Sequence, residues 1–182
     1  MTATTTPPLP SPTPPSETWR EPSLTRAEWI ALTAVWVLPV VGGILKFANP
    51  GWGLIAVIMW SPVIALVYLA GVVVFRLSLG RRSELRAVRG SVPRRYRVLA
   101  WTWAVAFFLP GFVLVDGDDS FPLHSALLTL IGLEQPEWYW GFEDVVMIAV
   151  AVGLLGGTVA AWVCYALDIR RARRAESGAR LT

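Results

Sequence analysis

The chain has 182 residues, 54% of them hydrophobic and only 16% charged, with a mean hydropathy of +0.52. Soluble domains carry about 25% charged residues, so this composition excludes an ordinary water-soluble domain. One cysteine (Cys164) excludes an intrachain disulfide, one histidine (His124) excludes a haem held by two imidazoles, and a net charge of +3 is too mild to indicate nucleic acid.

Residues 1–27 open with a Pro- and Thr-rich stretch, Pro7-Pro8-Leu9-Pro10-Ser11-Pro12-Thr13-Pro14-Pro15. That composition predicts a disordered cytoplasmic tail with polyproline-II character. No charged region abuts a short apolar stretch here, so no cleaved signal peptide is expected and the first apolar segment is read as a signal anchor.

Four apolar segments follow, at residues 29–47, 54–75, 98–115 and 145–167. Their lengths of 19, 22, 18 and 23 residues match the roughly 20 needed to cross a hydrocarbon layer ~30 Å thick. Lys46 is the single charged residue inside them. Four such helices leave too little polar chain to cover them in water. The fold class is therefore an all-α integral membrane protein: an antiparallel bundle of four transmembrane helices, spanning residues 28–169, with a short outer interfacial helix.

The first two segments are joined by Ala48-Asn49-Pro50-Gly51-Trp52, where Pro presets φ and Gly accepts a positive φ, so a tight hairpin is predicted. Pro39, Pro62 and Pro110 all fall toward one end of their segments and predict kinks at similar height. Leu38-Pro39-Val40-Val41-Gly42 and Leu109-Pro110-Gly111 repeat a Leu-Pro…Gly pattern in the first and third segments. The inner connection, residues 76–97, holds eight arginines against one acid, Glu84. Its cluster Arg81, Arg82, Arg86, Arg89, Arg94 and Arg95 is read as facing anionic lipid headgroups.

The outer connection, residues 116–144, carries seven acids and no base. Within it Leu123, Leu127, Leu130 and Ile131 predict one face of a short helix, capped by Asp119 or Ser120, with Pro122 in its first turn and Gly132 at its end. Asp116-Gly117-Asp118-Asp119 lacks the alternating carboxylates and closing Glu of a calcium loop, and no metal site is assigned. The fourth segment aligns Ala149, Gly153, Gly157 and Ala161 at four-residue spacing, a stripe expected to pack closely against another helix. Residues 170–182 form a basic cytoplasmic tail, and the last helix is expected to continue into it.

All 15 arginines fall in the tails and the inner connection, which puts both termini in the cytoplasm by the positive-inside rule. Fifteen Arg against one Lys points to a GC-rich coding genome and a bacterial source. Trp29, Trp101, Trp103, Trp52, Trp138, Tyr139 and Trp140 sit near segment ends and are read as interfacial belts; Trp36 and Trp60 lie deeper and are read as packing residues. No carboxylate, His or Arg lies at mid-membrane depth, and HExxH, GxSxG, Walker and GxGxxG patterns are absent. No catalytic residue or cofactor is assigned. The expected function is a small membrane protein acting through contacts, as an accessory, assembly or regulatory subunit. Its expected partners are anionic lipids at the inner face and other membrane subunits or a second copy, with no nucleic acid. The alternative is a small transporter or oligomeric channel with an acidic outer vestibule.

Overall fold

A computed structural model describes residues 23–48, 52–89, 91–115, 125–133 and 136–179. The described residues are helical and loop, with no strand. The helices are α1 (Arg26–Ala48), α2 (Trp52–Met59), α3 (Ser61–Leu79), α4 (Glu84–Arg89), α5 (Arg94–Val113), α6 (Ala126–Ile131), α7 (Tyr139–Ala151) and α8 (Gly157–Ala179); a π turn, Val152–Gly156, joins the last two. Four of the helical stretches are long and apolar enough to cross a membrane. The expected tail at residues 1–22, the turn at 49–51 and the acidic run at 116–124 lie outside the described residues.

Local chemistry explains the ends. Thr25 and Glu28 form a capping box: the Thr25 backbone N–H donates to Glu28 Oε2 (2.9 Å), and the Glu28 N–H to Thr25 Oγ1 (3.3 Å). Two orphan donors at the start of α1 are thereby satisfied. The second apolar segment is two helices, broken at Trp60, because Pro62 lacks an N–H and fits only the first turn of a new helix. Pro62 therefore starts a helix rather than kinking one. α8 runs on past the apolar stretch to Ala179, as expected.

The short helix of the acidic connection differs from its expected form. Ser125 is the N-cap, its hydroxyl accepting from the Leu128 N–H at 3.0 Å, so α6 starts later than the sequence pattern suggests. Gly132 ends it with φ 68°. Starting at Ala126 turns Leu128 inward, fully buried, and leaves Leu130 and Ile131 exposed. Asp119 and Ser120, the expected caps, and Pro122 lie outside the described residues.

Helix packing centres on Trp103 of α5, which is fully buried. Its ring lies 4.6 Å from Phe107 and 5.7 Å from both Tyr68 and Phe75, centroid to centroid. The indole N–H donates to Thr158 Oγ1 at 3.0 Å, and the Thr158 hydroxyl donates to the Leu154 carbonyl at 2.6 Å. Gly71 of α3 is what admits this ring, since a Cβ there would collide with it. Trp103 is thus a core residue and not part of an interfacial belt. Tyr139 is likewise buried, its hydroxyl donating to the Val113 carbonyl (2.7 Å) beside Ser125 Oγ (3.1 Å). Trp29, Trp101, Trp138 and Trp140 are exposed, while Trp60, read as a packing residue, is 63% exposed. Trp36 packs edge-on against Tyr68 yet remains half exposed.

Candidate functional site

The Arg-rich cluster divides into two kinds of residue. Arg86 on α4 is buried, its Nη2 2.7 Å from Glu28 Oε2 and its Nη1 donating to the Ser23 carbonyl at 3.2 Å. The carboxylate that caps α1 therefore also holds the connection between α3 and α5. Arg86 is structural, and its guanidinium is withdrawn from any headgroup, contrary to the expectation. Arg95 pairs with Asp168 of α8, which is fully buried and also accepts from the Tyr96 hydroxyl at 2.8 Å. This second clamp ties the first turn of α5 to α8.

Arg81, Arg82 and Arg94 remain exposed, and the side chain of Arg89 lies outside the described residues. Two shallow grooves carry arginine beside tryptophan. Arg76 and Arg81 border one of about 310 Å³ with Trp29 and Trp36; Arg94 and Arg97 border another of about 550 Å³ with Trp101. Guanidinium next to an amphipathic ring is the pairing that suits a phosphate-bearing interface.

The small-residue stripe of the fourth segment is not one continuous face. The π turn inserts one residue per turn beyond the α register and so rotates the downstream face by ~100°. Ala149 is exposed, Gly153 faces Ala106 and Thr102 of α5, Gly157 has open space where a Cβ would stand, and Ala161 is fully buried. The closest backbone approach lies elsewhere. Gly42 of α1 meets Gly111 of α5, and a Cβ on Gly111 would collide with the Gly42 carbonyl oxygen. A Cβ on Gly42 would stand 2.9 Å from Phe108 Cα. The repeated Leu-Pro…Gly letters thus mark the crossing of the first and third apolar segments.

Beside that crossing lies a cavity of about 390 Å³, walled by α1, α2, α3, α5, α7 and the π turn. Pro39 and Pro110 border it, together with Gly43, Phe107 and Val150. Among its described lining residues, Lys46 alone is charged, and this side chain is only 6% exposed. Among the described residues, no group of three His, Cys, Asp or Glu side chains could hold a metal ion. Cys164 packs against the core.

Sequence reasoning missed the two clamps. Thr25-x-x-Glu28 is a legible capping-box signal, and Asp168 stands one residue beyond the apolar run, where it reads as the start of a solvated tail. Comparison with protein-family models, with curated proteins and with solved structures yields no match to this chain.

Proposed function

We propose that the chain is an integral protein of the cell membrane, crossing it four times in antiparallel order with both termini in the cytoplasm. In this reading it works through contacts, as an accessory, assembly or regulatory subunit of a membrane complex, and not as an enzyme. The observation that carries the reading is how little of the apolar helices the fold covers: between 22% and 39% of each candidate span is buried. Ile44, Leu66, Ile148 and Val159, each more than 60% exposed, stand for a surface that only lipid or partner helices would satisfy.

Contact order along the chain supports the antiparallel arrangement. Tyr68 meets Phe107 while Phe75 meets Trp103, and Trp103 meets Thr158 while Tyr96 meets Asp168. Rising numbers on one helix therefore face falling numbers on the next. The two Arg–Trp grooves support lipid contact at the inner face, where each exposed basic residue contributes about 1 kcal/mol toward anionic lipid. The buried ions Glu28, Arg86 and Asp168 join helices to one another, a role in holding shape.

Two measurements test the proposal. Crosslinking followed by purification in mild detergent should recover the chain with other membrane subunits; a lone monomer that supports ion flux in liposomes overturns the contact reading in favour of a transporter or channel. A reporter fused to the C-terminus should be active only in the cytoplasm, and activity outside the cell overturns the orientation.

A further inference from the structure

Two grooves meet at the end of α3 and share the same arginines. The first, of about 310 Å³, lies between α1 and α3, with Trp29, Leu32 and Trp36 on one wall and Arg76 and Arg81 on the other. The second, of about 510 Å³, borders Arg76 and Arg81 again but runs along Val73 and Leu77 of α3 and out to Arg82, with no residue of α1. Gly80 lines both and has no side chain to divide them. All three arginines are exposed, and among the described residues none of them is in an ion pair. Glu84, the one acid of this connection, turns instead to Arg173 at 3.5 Å.

These guanidiniums lack an anion, and the grooves indicate its kind. A guanidinium fork suits phosphate oxygens. Trp29 and Trp36 stand seven residues apart on α1, ~10 Å along its axis, so the first groove leads from the arginines toward the apolar middle of the helix. Val73 and Leu77 line the second groove with hydrocarbon in the same way on α3. A soluble anion would leave both apolar floors uncovered, whereas basic pockets between membrane helices on the cytoplasmic side suit lipid headgroups. One phosphate leaves two of the three charges unmet. Two phosphates on a short linker, each with its own acyl chains, meet most of the charge and supply chains to both grooves.

We propose that Arg76, Arg81 and Arg82 hold one lipid bearing two phosphates, the class of a diphosphatidylglycerol, with its chains divided between the two grooves. The chains leave along Trp29 and Trp36 on one side and along Val73 and Leu77 on the other, and continue into the surrounding bilayer. This rests on the reading of the chain as a membrane protein with the end of α3 at the cytoplasmic surface, and adds to it one site and one headgroup.

The test titrates the purified full-length chain in maltoside micelles with tetraoleoyl diphosphatidylglycerol and counts bound lipid by native mass spectrometry. One saturable site is expected, at least ten-fold tighter than for dioleoylphosphatidylglycerol. Arg76→Gln with Arg81→Gln should weaken it at least ten-fold. Arg94→Gln with Arg97→Gln removes the same charge from the groove beside Trp101 and should change it less than two-fold. Equal weakening by the two pairs overturns the site, because charge alone then does the holding. Equal affinity for dioleoylphosphatidylglycerol, a comparison on the parent chain that needs no variant, overturns the two-phosphate class. Displacement of the lipid by an equal concentration of inorganic pyrophosphate overturns the seating of its chains, and absence of saturable binding overturns the proposal entirely. The topology beneath it is read separately, by the C-terminal reporter in cells, so loss of the site and loss of the topology are distinguishable.

Discussion

Glu28 and Arg86 form a buried ion pair, Oε2 to Nη2 at 2.7 Å, between the first turn of α1 and the short helix α4. The same Glu28 oxygen accepts the Thr25 backbone N–H, so one carboxylate both starts a helix and fastens a connection 58 residues away. Removing one member of a buried pair leaves the other uncompensated, which costs about 3–5 kcal/mol. Arg86→Met should lower unfolding stability in detergent by that amount. Adding Glu28→Gln should restore most of it, because glutamine keeps the capping box while discarding the orphaned charge. A double variant no more stable than the single one would refute this assignment.

The clamp at Asp168 predicts a ranking. Tyr96→Phe removes one hydrogen bond to a charged acceptor, about 1.5–3 kcal/mol. Asp168→Ala strands both Tyr96 and Arg95 and should cost more than Tyr96→Phe. Arg95→Gln leaves the fully buried Asp168 carboxylate without this guanidinium and should also cost more than Tyr96→Phe, although solvent reaches the 44% exposed Arg95 side chain and tempers the loss. Thermal melts of the three variants in one detergent check the order.

Three glycines separate close packing from mere smallness. Gly111→Ala drives a methyl into the Gly42 carbonyl and forces α1 and α5 apart, for a loss of about 1–3 kcal/mol. Gly157→Ala meets no neighbour and should be neutral or stabilising by up to about 1 kcal/mol, through helix propensity. Gly71→Ala presses on the Trp103 ring and should fall with Gly111→Ala. Equal melting temperatures for the Gly111 and Gly157 variants would contradict the crossing.

At the core, Trp103→Ala should cost about 3–5 kcal/mol from lost packing alone. Thr158→Val removes the indole's hydrogen-bond acceptor together with the hydroxyl's own bond to the Leu154 carbonyl, and helix-to-helix bonds like the first contribute about 0.6–1.7 kcal/mol in membrane proteins. The gap between the two variants, read from denaturation in mixed micelles, measures how much of the site is shape and how much is polarity.

The helical apolar segments were legible because a run of some twenty apolar residues outweighs most local signals, Pro62 excepted, and the continuation of α8 followed from the absence of a breaker. Close approach was not legible at the right place. Ala149, Gly153, Gly157 and Ala161 share a face only if the helix keeps its α register, and the π turn at Val152–Gly156 breaks it. Nor do letters distinguish Trp101 from Trp103, two residues apart on α5. One is exposed beside arginines and the other enclosed, a difference set by Gly71 on a distant helix. Arg86 looked like its neighbours because membership in a basic run hides which guanidinium has a buried carboxylate to meet. The cavity is a product of where helices cross, and composition carries no trace of it.

The contact of Gly42 with Gly111 also fixes a schedule. A ribosome adding ~5–20 residues each second makes Gly111 roughly 3–14 s after Gly42, and until then the first rod lacks the neighbour that its bare glycine surface is shaped to receive. The first helix must therefore wait, half-dressed, for later-born chain. The order in which these two glycines are written thus sets how long that surface stays uncovered.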